Sequence, residues 1–175
     1  MKEVIWVFGT SSAGKQTFIN AVLTDSNLAI RLGWKNKKVT LCRESVNYPG
    51  DLSMPKIVKI REQIPKFVQK LINTYDVVLI KWQYADSYIN TPLKLKHAIP
   101  EAKHRIILLV APEDELKDRL NKKDWWQNKW NSVSDLVDDE IILVDKFIAE
   151  LKNELEITIL ASGKDEGYKE VSFKN

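Results

Sequence analysis

Continuous apolar runs and segments of helical apolar spacing alternate along the chain. The continuous runs predict five buried strands, over 4–9, 39–42, 76–80, 105–110 and 157–160. Apolar residues three and four positions apart predict helices over about 14–24, 55–75, 93–98, 112–123 and 132–151. Strands that alternate with helices in this way predict an α/β fold, in which helices cover both faces of a parallel five-strand sheet.

Prolines and polar stretches predict where the helices start and break. Pro65 lies inside the helical pattern of 55–75 and should kink that helix or split it in two. Pro112 precedes three acidic residues, which is typical of a helix start. The polar stretch 25–38 is expected to form a loop or a short helix, and the polar tail after Gly167 is expected to fray.

A glycine-bounded loop joins the first predicted strand to the first predicted helix. Gly9 and Gly14 bracket four residues and Lys15 follows, so the stretch matches the phosphate-binding motif G-x-x-x-x-G-K. The glycines let the backbone aim successive N–H groups inward, and the start of a helix adds partial positive charge. Lys15 would then reach the β- and γ-phosphates of a nucleotide. The predicted nucleotide-binding residues of this loop are Gly9, Ser11, Ser12, Ala13, Gly14, Lys15, Gln16 and Thr17.

The alternative interpretation of this loop is a plain glycine turn with an exposed lysine, but the strand–loop–helix context favours phosphate binding. The residue after the lysine departs from the strict motif, which has Ser or Thr there to hold Mg²⁺. Here Gln16 stands in that place and Thr17 follows it. We expect Thr17 to serve the metal or a phosphate, directly or through water.

Composition and charge narrow the class of protein. The 175 residues, 1–175, are expected to form one domain. The formal charge of +3 comes from interspersed basic and acidic residues and does not indicate nucleic-acid binding. Cys42 is the single cysteine, so we expect a buried inert thiol, no disulfide and a cytoplasmic location. The sequence has no signal-peptide pattern and no apolar run long enough to span a membrane.

The carboxyl ends of the strands are where parallel α/β sheets bind their ligands. Besides the glycine loop, this rule selects four stretches, which are 43–44, 81–86, 111–119 and 162–164. The residues of these stretches are therefore the remaining candidates for a functional site.

The five stretches, in this order, resemble the nucleoside and nucleotide kinases of the P-loop superfamily, and thymidylate kinases are the branch they resemble most. Arg43-Glu44, with Pro49-Gly50 shortly after, is similar to T-R-E-P-G-G-T of that branch. The stretch 81–87 stands where the branch has D-R-[FY]-x-x-S, and 112–122 is similar to its P-E-x-x-x-x-R-[LI]-x-x-R. The resemblance implies a three-layer P-loop fold with sheet order 2-3-1-4-5, ATP as phosphoryl donor and Mg²⁺ as its metal.

Two residues depart from the family's pattern. The family has an acidic residue at the end of strand three that helps to hold Mg²⁺, and this chain has Lys81 there; the arginine that follows in the family is Trp82. Either the acidic role has moved to Glu44 or Asp86, or metal binding is weaker, or the chain binds nucleotide without kinase activity. We expect Thr17, with Glu44 or Asp86, to hold Mg²⁺ largely through water.

The resemblance also implies roles at the ends of strands two and three. Glu44 is expected to be catalytic by orienting an acceptor hydroxyl or a metal-bound water, and the alternative is a solvated loop carboxylate. Lys81 could bind an acceptor phosphate, or it could instead pair with Asp86 or Glu44. Arg43 joins Lys81 and Asp86 in the predicted substrate-binding set, although Arg43 and Glu44 point to opposite faces if the strand continues.

The family places its lid after the fourth strand's helix, and Arg119 is the expected catalytic cation there. A cation that closes over the transferring phosphoryl group stabilises its negative charge. Lys122 and Lys123 are two further candidates for lid cations, and the alternative, which is favoured for both, is a solvated helix end that complements the helix dipole. Gly163 and Lys164 follow strand five, where the superfamily contacts the nucleotide base, and the alternative is an ordinary turn.

The segment 119–130 is expected to be mobile, because it is polar and has no periodicity. For its tryptophans, core packing or a partner surface is favoured over base stacking; they are Trp125, Trp126 and Trp130. Both histidines lack a second ligand at metal spacing and are expected at the surface.

Three function hypotheses follow. The first is ATP-dependent phosphoryl transfer to a nucleoside, nucleotide or similar small acceptor. The second is a P-loop module that binds a nucleoside triphosphate without transferring phosphate. The third is transfer to a polynucleotide 5′ end, which would require a more basic groove. The expected partner is a small-molecule acceptor rather than nucleic acid or a membrane, and the sequence does not decide between a monomer and a homodimer.

Overall fold

The computed structural model describes residues 1–46, 54–82, 91–164 and 167–172. Its sheet is parallel and has the order β2-β3-β1-β4-β5, which confirms the predicted fold class. The strands are β1 Glu3–Phe8, β2 Val39–Leu41, β3 Val77–Lys81, β4 Lys103–Val110 and β5 Glu156–Ala161.

Helices cover both faces of the sheet. They are α1 Lys15–Thr24, α2 Ser26–Arg31, α3 Met54–Glu62, α4 Ile64–Ile72, α5 Thr91–Ala98, α6 Glu113–Asn121 and α7 Val133–Leu151, with a 3₁₀ turn over Arg43–Ser45. Pro65 splits the predicted helix in two, because it lies in the first turn of α4, where its missing N–H costs nothing. No helix in the described part of the chain is long and apolar enough to cross a bilayer.

The two faces of β1 bury different parts of the core. Val4, Trp6 and Phe8 belong to one apolar cluster, which includes residues of α4 and α5. Ile5 and Val7 belong to the other, which includes residues of α1, α2 and α6. Alternate side chains of a strand point to opposite faces of the sheet, and both faces are covered here. Every residue of β1 is therefore buried. The central strand therefore holds the loop that follows it at a fixed place on the sheet edge.

Two expectations about exposure are wrong. His104 is buried in β4, where its Nε2–H donates to the carbonyl of Ile99 at 2.8 Å. The described part of the tail, 167–172, pairs with β5 instead of fraying, through the amides of Ala161 and Val171. In both cases a backbone hydrogen bond within the fold satisfies a polar group that looks solvated in the local pattern.

Cys42 is buried directly after β2, as expected. Burial and the neighbouring Glu44 raise the pKa of its thiol to about 12. A thiol that stays protonated at neutral pH is a poor nucleophile, so Cys42 is a core residue.

Candidate functional site

Two glycines shape the loop between β1 and α1. Gly9 has φ 137°, and a Cβ there would lie 2.5 Å from the carbonyl oxygen of Leu109 on β4. Gly14 has φ 87° and precedes the first residue of α1. Both positions favour glycine, because an L side chain at such φ is strained. The loop therefore lies close against the sheet and presents the N-terminus of α1 to solvent.

Lys15 begins α1 and folds back over the loop. Its Nζ donates to the carbonyls of Gly9 and Thr10, both at 2.7 Å. The ammonium therefore lies above the loop's backbone amides, within reach of an anion seated there.

Glu140 of α7 holds the loop from the side of the core, and the sequence analysis missed it. Its side chain is buried and accepts a hydrogen bond from the backbone N–H of Ser11 at 2.6 Å and another from the Ser11 hydroxyl. A signal for this residue existed: Glu140 shares the buried face of α7 with Leu136 and Val137, where an acid needs a partner.

A cleft of about 930 Å³ opens above the loop. Among the described residues that line it, the charged ones are all basic: Lys15, Lys81, Arg119, Lys122, Lys123 and Lys164. Six cations around one cleft attract an anionic ligand and raise its local concentration.

One end of the cleft is formed by the loop after β5. Ser162 donates through its hydroxyl to the carbonyl of Ala13 at 2.7 Å, which ties this loop to the glycine loop. The backbone N–H of Lys164 donates to the carboxylate of Glu115 on α6. Tyr168 closes the same end and packs edge-on against Phe18 of α1, with 5.0 Å between ring centroids. The predicted pair Gly163 and Lys164 lines this end.

Arg119 lies on α6 and is held at the rim of the cleft. Its guanidinium donates to the carbonyls of Ser12 at 3.0 Å and Ser162 at 3.3 Å, and it pairs with Glu115. Arg119 thus joins the glycine loop to the loop after β5.

Lys122 and Lys123 are exposed at the end of α6, and both line the cleft. The Lys123 Nζ donates to the hydroxyl of Ser12 at 3.0 Å, so this ammonium contacts the glycine loop.

Lys81 and Gln16 are in direct contact. Lys81 is the last residue of β3, and its Nζ donates to the Oε1 of Gln16 at 3.3 Å. Burial lowers the pKa of Lys81, and the positive charges of Lys123 and Arg61 lower it further. Of the alternative ion pairs for Lys81, the one with Glu44 is not formed, and the Lys81 Nζ contacts Gln16 instead. The alternative with Asp86 lies outside the described residues.

The other predicted site residues are dispersed. Thr17 lines the cleft, whereas Arg43 and Glu44 do not; Glu44 accepts a hydrogen bond from the Cys42 thiol at 3.4 Å. Asp86 again falls outside the described part of the chain. The predicted magnesium ligands Thr17, Glu44 and Asp86 are thus represented in the described cleft by a single hydroxyl. Mg²⁺ in such sites is held by carboxylates, so the described residues do not fit a protein-held magnesium ion.

The three tryptophans after α6 have different environments. Trp126 donates through its indole N–H to the carbonyl of Leu120 at 3.1 Å, and Trp130 donates to Asp139 of α7 at 2.9 Å. Both pack partly buried against the core. Trp125 is 49% exposed and lines the cleft. Two tryptophans therefore support the segment, and the third faces the ligand space.

Solved structures of other proteins share this architecture. No protein-family model matches the chain, and no curated protein matches it in sequence. A shikimate kinase from Bacteroides thetaiotaomicron superposes on this chain with a TM-score of 0.53 and 16% sequence identity. The superposition covers 91% of this chain and 86% of the shikimate kinase chain. The chain has the fold of the P-loop kinases. Two further structures share it, the YorR protein of Bacillus subtilis in complex with phosphorylated GDP and the PezAT toxin–antitoxin system of Streptococcus pneumoniae.

The superposition with YorR covers 91% of this chain and 85% of the YorR chain, with a TM-score of 0.50 and 14% sequence identity. The superposition with the PezAT structure covers 98% of this chain and 71% of the matched PezAT chain, with a TM-score of 0.56 and 14% sequence identity. At these identities the similarity shows the fold, and it does not single out thymidylate kinases.

Proposed function

We propose that the protein binds a nucleoside triphosphate in the cleft and transfers its terminal phosphoryl group to a nucleoside, nucleotide or similar small acceptor. The observation that carries the proposal is the ring of cations above a P-loop: six basic side chains line one cleft together with the amides of an α-helix N-terminus. A triphosphate is the common ligand whose charge and length suit such a site.

The contacts suggest an orientation for the nucleotide. Lys15, Lys81 and Lys123 surround the loop and the start of α1, so the β- and γ-phosphates belong there. Gly163 and Tyr168 line the other end, where the base would lie. Arg119 lies between the two ends and would contact phosphate or base according to how far the ligand enters.

Catalysis at this site would depend on the positioning of the two substrates and on the positive charge around the transferring phosphoryl group. The transferring phosphoryl group carries its negative charge on peripheral oxygens, and fixed cations around it stabilise that charge without reorganisation. The acceptor would approach from the carboxyl ends of β2 and β3, where Arg43 and Glu44 lie.

A second candidate function is nucleotide binding without transfer. The Lys81–Gln16 contact favours it, because these residues stand at the two positions that carry metal ligands in P-loop enzymes. On this hypothesis the cleft holds a triphosphate as a signal or a structural ligand.

One experiment separates the candidates. Labelled ATP or GTP is incubated with nucleosides, nucleotides, sugars, shikimate and a 5′-hydroxyl oligonucleotide, and the products are resolved by chromatography. The proposal expects label on one class of small acceptor with the wild-type protein and none with Lys15→Ala. Binding without any product would support the second candidate, and label on the oligonucleotide would support a polynucleotide kinase.

A further inference from the structure

The two residues that occupy the metal-ligand positions of a P-loop site contact each other. In P-loop NTPases a Ser or Thr after the loop lysine and an acidic residue at a strand end hold Mg²⁺. Here these positions are Gln16 and Lys81, and 3.3 Å separates the Lys81 Nζ from the Gln16 Oε1. A neutral amide that accepts from an ammonium thus stands where a hydroxyl and a carboxylate would coordinate a metal.

Lys81 is held in place by the sheet. Its backbone N–H donates to the buried hydroxyl of Ser45 at 3.0 Å, and that hydroxyl donates to the Cys42 carbonyl at 2.6 Å. Gln16 is held in turn, because its Nε2 donates to Asn20 one turn further along α1 at 3.0 Å. The direction of the Gln16 amide is therefore set so that its oxygen faces Lys81.

Among the described residues, the charges that act on Lys81 are those of Lys123 and Arg61, and both are positive. Lys15, Lys122 and Arg119 line the same cleft. No carboxylate lines the cleft within the described ranges. A half-buried ammonium near other cations is stabilised when an anion enters, which makes Lys81 a ligand-binding group rather than a structural ion pair.

We propose that Lys81, oriented by Gln16, supplies the positive charge that a protein-held divalent metal supplies in other P-loop sites, so that the protein binds its triphosphate without a metal. This inference rests on the proposed nucleotide-binding function, and it adds that the triphosphate binds in its metal-free form. Any metal that accompanies the nucleotide would be held by the phosphates alone.

The test is calorimetric titration with non-hydrolysable analogues of ATP and GTP, once in EDTA and once in Mg²⁺. The wild-type protein should bind its nucleotide with affinities that agree within about threefold in the two buffers. Lys81→Met should lower the metal-free affinity at least about tenfold. Lys70→Met is the matched control, because Lys70 is an exposed lysine of α4 outside the cleft, and it should bind as the wild type does.

A second variant restores the usual types of metal ligand at positions 16 and 81. Gln16→Thr combined with Lys81→Asp restores the usual ligand types, so its affinity should become at least about tenfold higher in Mg²⁺ than in EDTA. Thermal unfolding of each variant checks that the fold is intact.

The outcomes separate this inference from the proposed function. Wild-type binding that requires Mg²⁺, unchanged metal-free binding by Lys81→Met, or a double variant that ignores Mg²⁺ would each overturn the inference while nucleotide binding stands. If neither nucleotide binds in either buffer, the proposed function itself fails.

Discussion

Glu140 shows how one buried side chain can set the shape of the P-loop. Its oxygens accept from both the backbone N–H and the hydroxyl of Ser11, at the tip of the loop. The neighbouring Ser12 has φ 63°, a left-handed conformation that a non-glycine residue adopts only where its surroundings impose it. Ser11 donates to Glu140 directly before Ser12, and Arg119 donates to the Ser12 carbonyl, so hydrogen bonds hold the backbone on both sides of this φ angle.

We predict that Glu140→Gln lowers the free energy of unfolding by about 1–3 kcal/mol, because a neutral amide replaces the carboxylate that accepts two hydrogen bonds from Ser11. Urea unfolding followed by circular dichroism measures the change. Glu150→Gln, an exposed acid on the same helix, is the control and should shift stability by less than about 0.5 kcal/mol. Equal stabilities of the two variants would show that the Glu140–Ser11 contact contributes nothing.

His104 gives the molecule a pH dependence of stability. Burial lowers the pKa of His104 below its usual value of 6.5 and Lys96 adds to this, while the hydrogen bond to Ile99 and the charge of Glu101 oppose it. Between the unfolded and folded pKa values the unfolded chain binds more protons, so stability falls as the pH falls.

We therefore predict that the wild-type free energy of unfolding decreases from about pH 7 to about pH 5, and that His104→Gln, which keeps a donor for Ile99, flattens this decrease. Urea titrations at a series of pH values measure the slope. His97→Gln changes an exposed histidine of α5 and should keep the wild-type slope. A slope that His104→Gln leaves intact would assign the pH dependence to other groups.

The segment 119–130 begins in the last turn of α6 and continues beyond it. Its sequence is polar and without periodicity, which predicts a mobile lid. In the structure Arg119 makes three hydrogen bonds, and Trp126 and Trp130 pack partly into the core. What remains open to the cleft is the set Lys122, Lys123 and Trp125.

We predict that hydrogen exchange of backbone amides in 122–131 is faster than in α6 and α7 without nucleotide, and slows on addition of ATP or GTP. The reason is that few buried contacts hold this stretch, while a bound phosphate would attract its lysines. Mass spectrometry of peptides resolves the segment, and peptides of α4 serve as the internal reference. Equal exchange with and without ligand would mean that the segment takes no part in binding.

Local patterns were sufficient for the elements and insufficient for the contacts between them. Strand runs, the split at Pro65 and the glycine loop could be predicted because each signal spans a few neighbouring residues. The contact of Glu140 with Ser11 joins positions 129 apart, and that of Lys81 with Gln16 joins positions 65 apart. Such pairs depend on which strand ends become neighbours, and single residues in a sequence do not report that.

The carboxyl edge of the whole sheet concentrates positive charge. Lys15 follows β1, Lys81 ends β3, and Arg119 follows β4, so three neighbouring strands bring cations to one cleft although the formal charge of the chain is only +3. The topology, rather than the composition, produces this cluster of cations.

Titration calorimetry of the wild-type protein and of Lys15→Ala with ATP and GTP tests this account most directly. Lys15 lies over the start of the loop and donates to the carbonyls of Gly9 and Thr10, so its loss should weaken triphosphate binding at least about tenfold while thermal unfolding stays unchanged. Lys70→Ala, outside the cleft, should bind as the wild type does. Equal affinity of Lys15→Ala and the wild type for both nucleotides would contradict the assignment of the cleft as a triphosphate site.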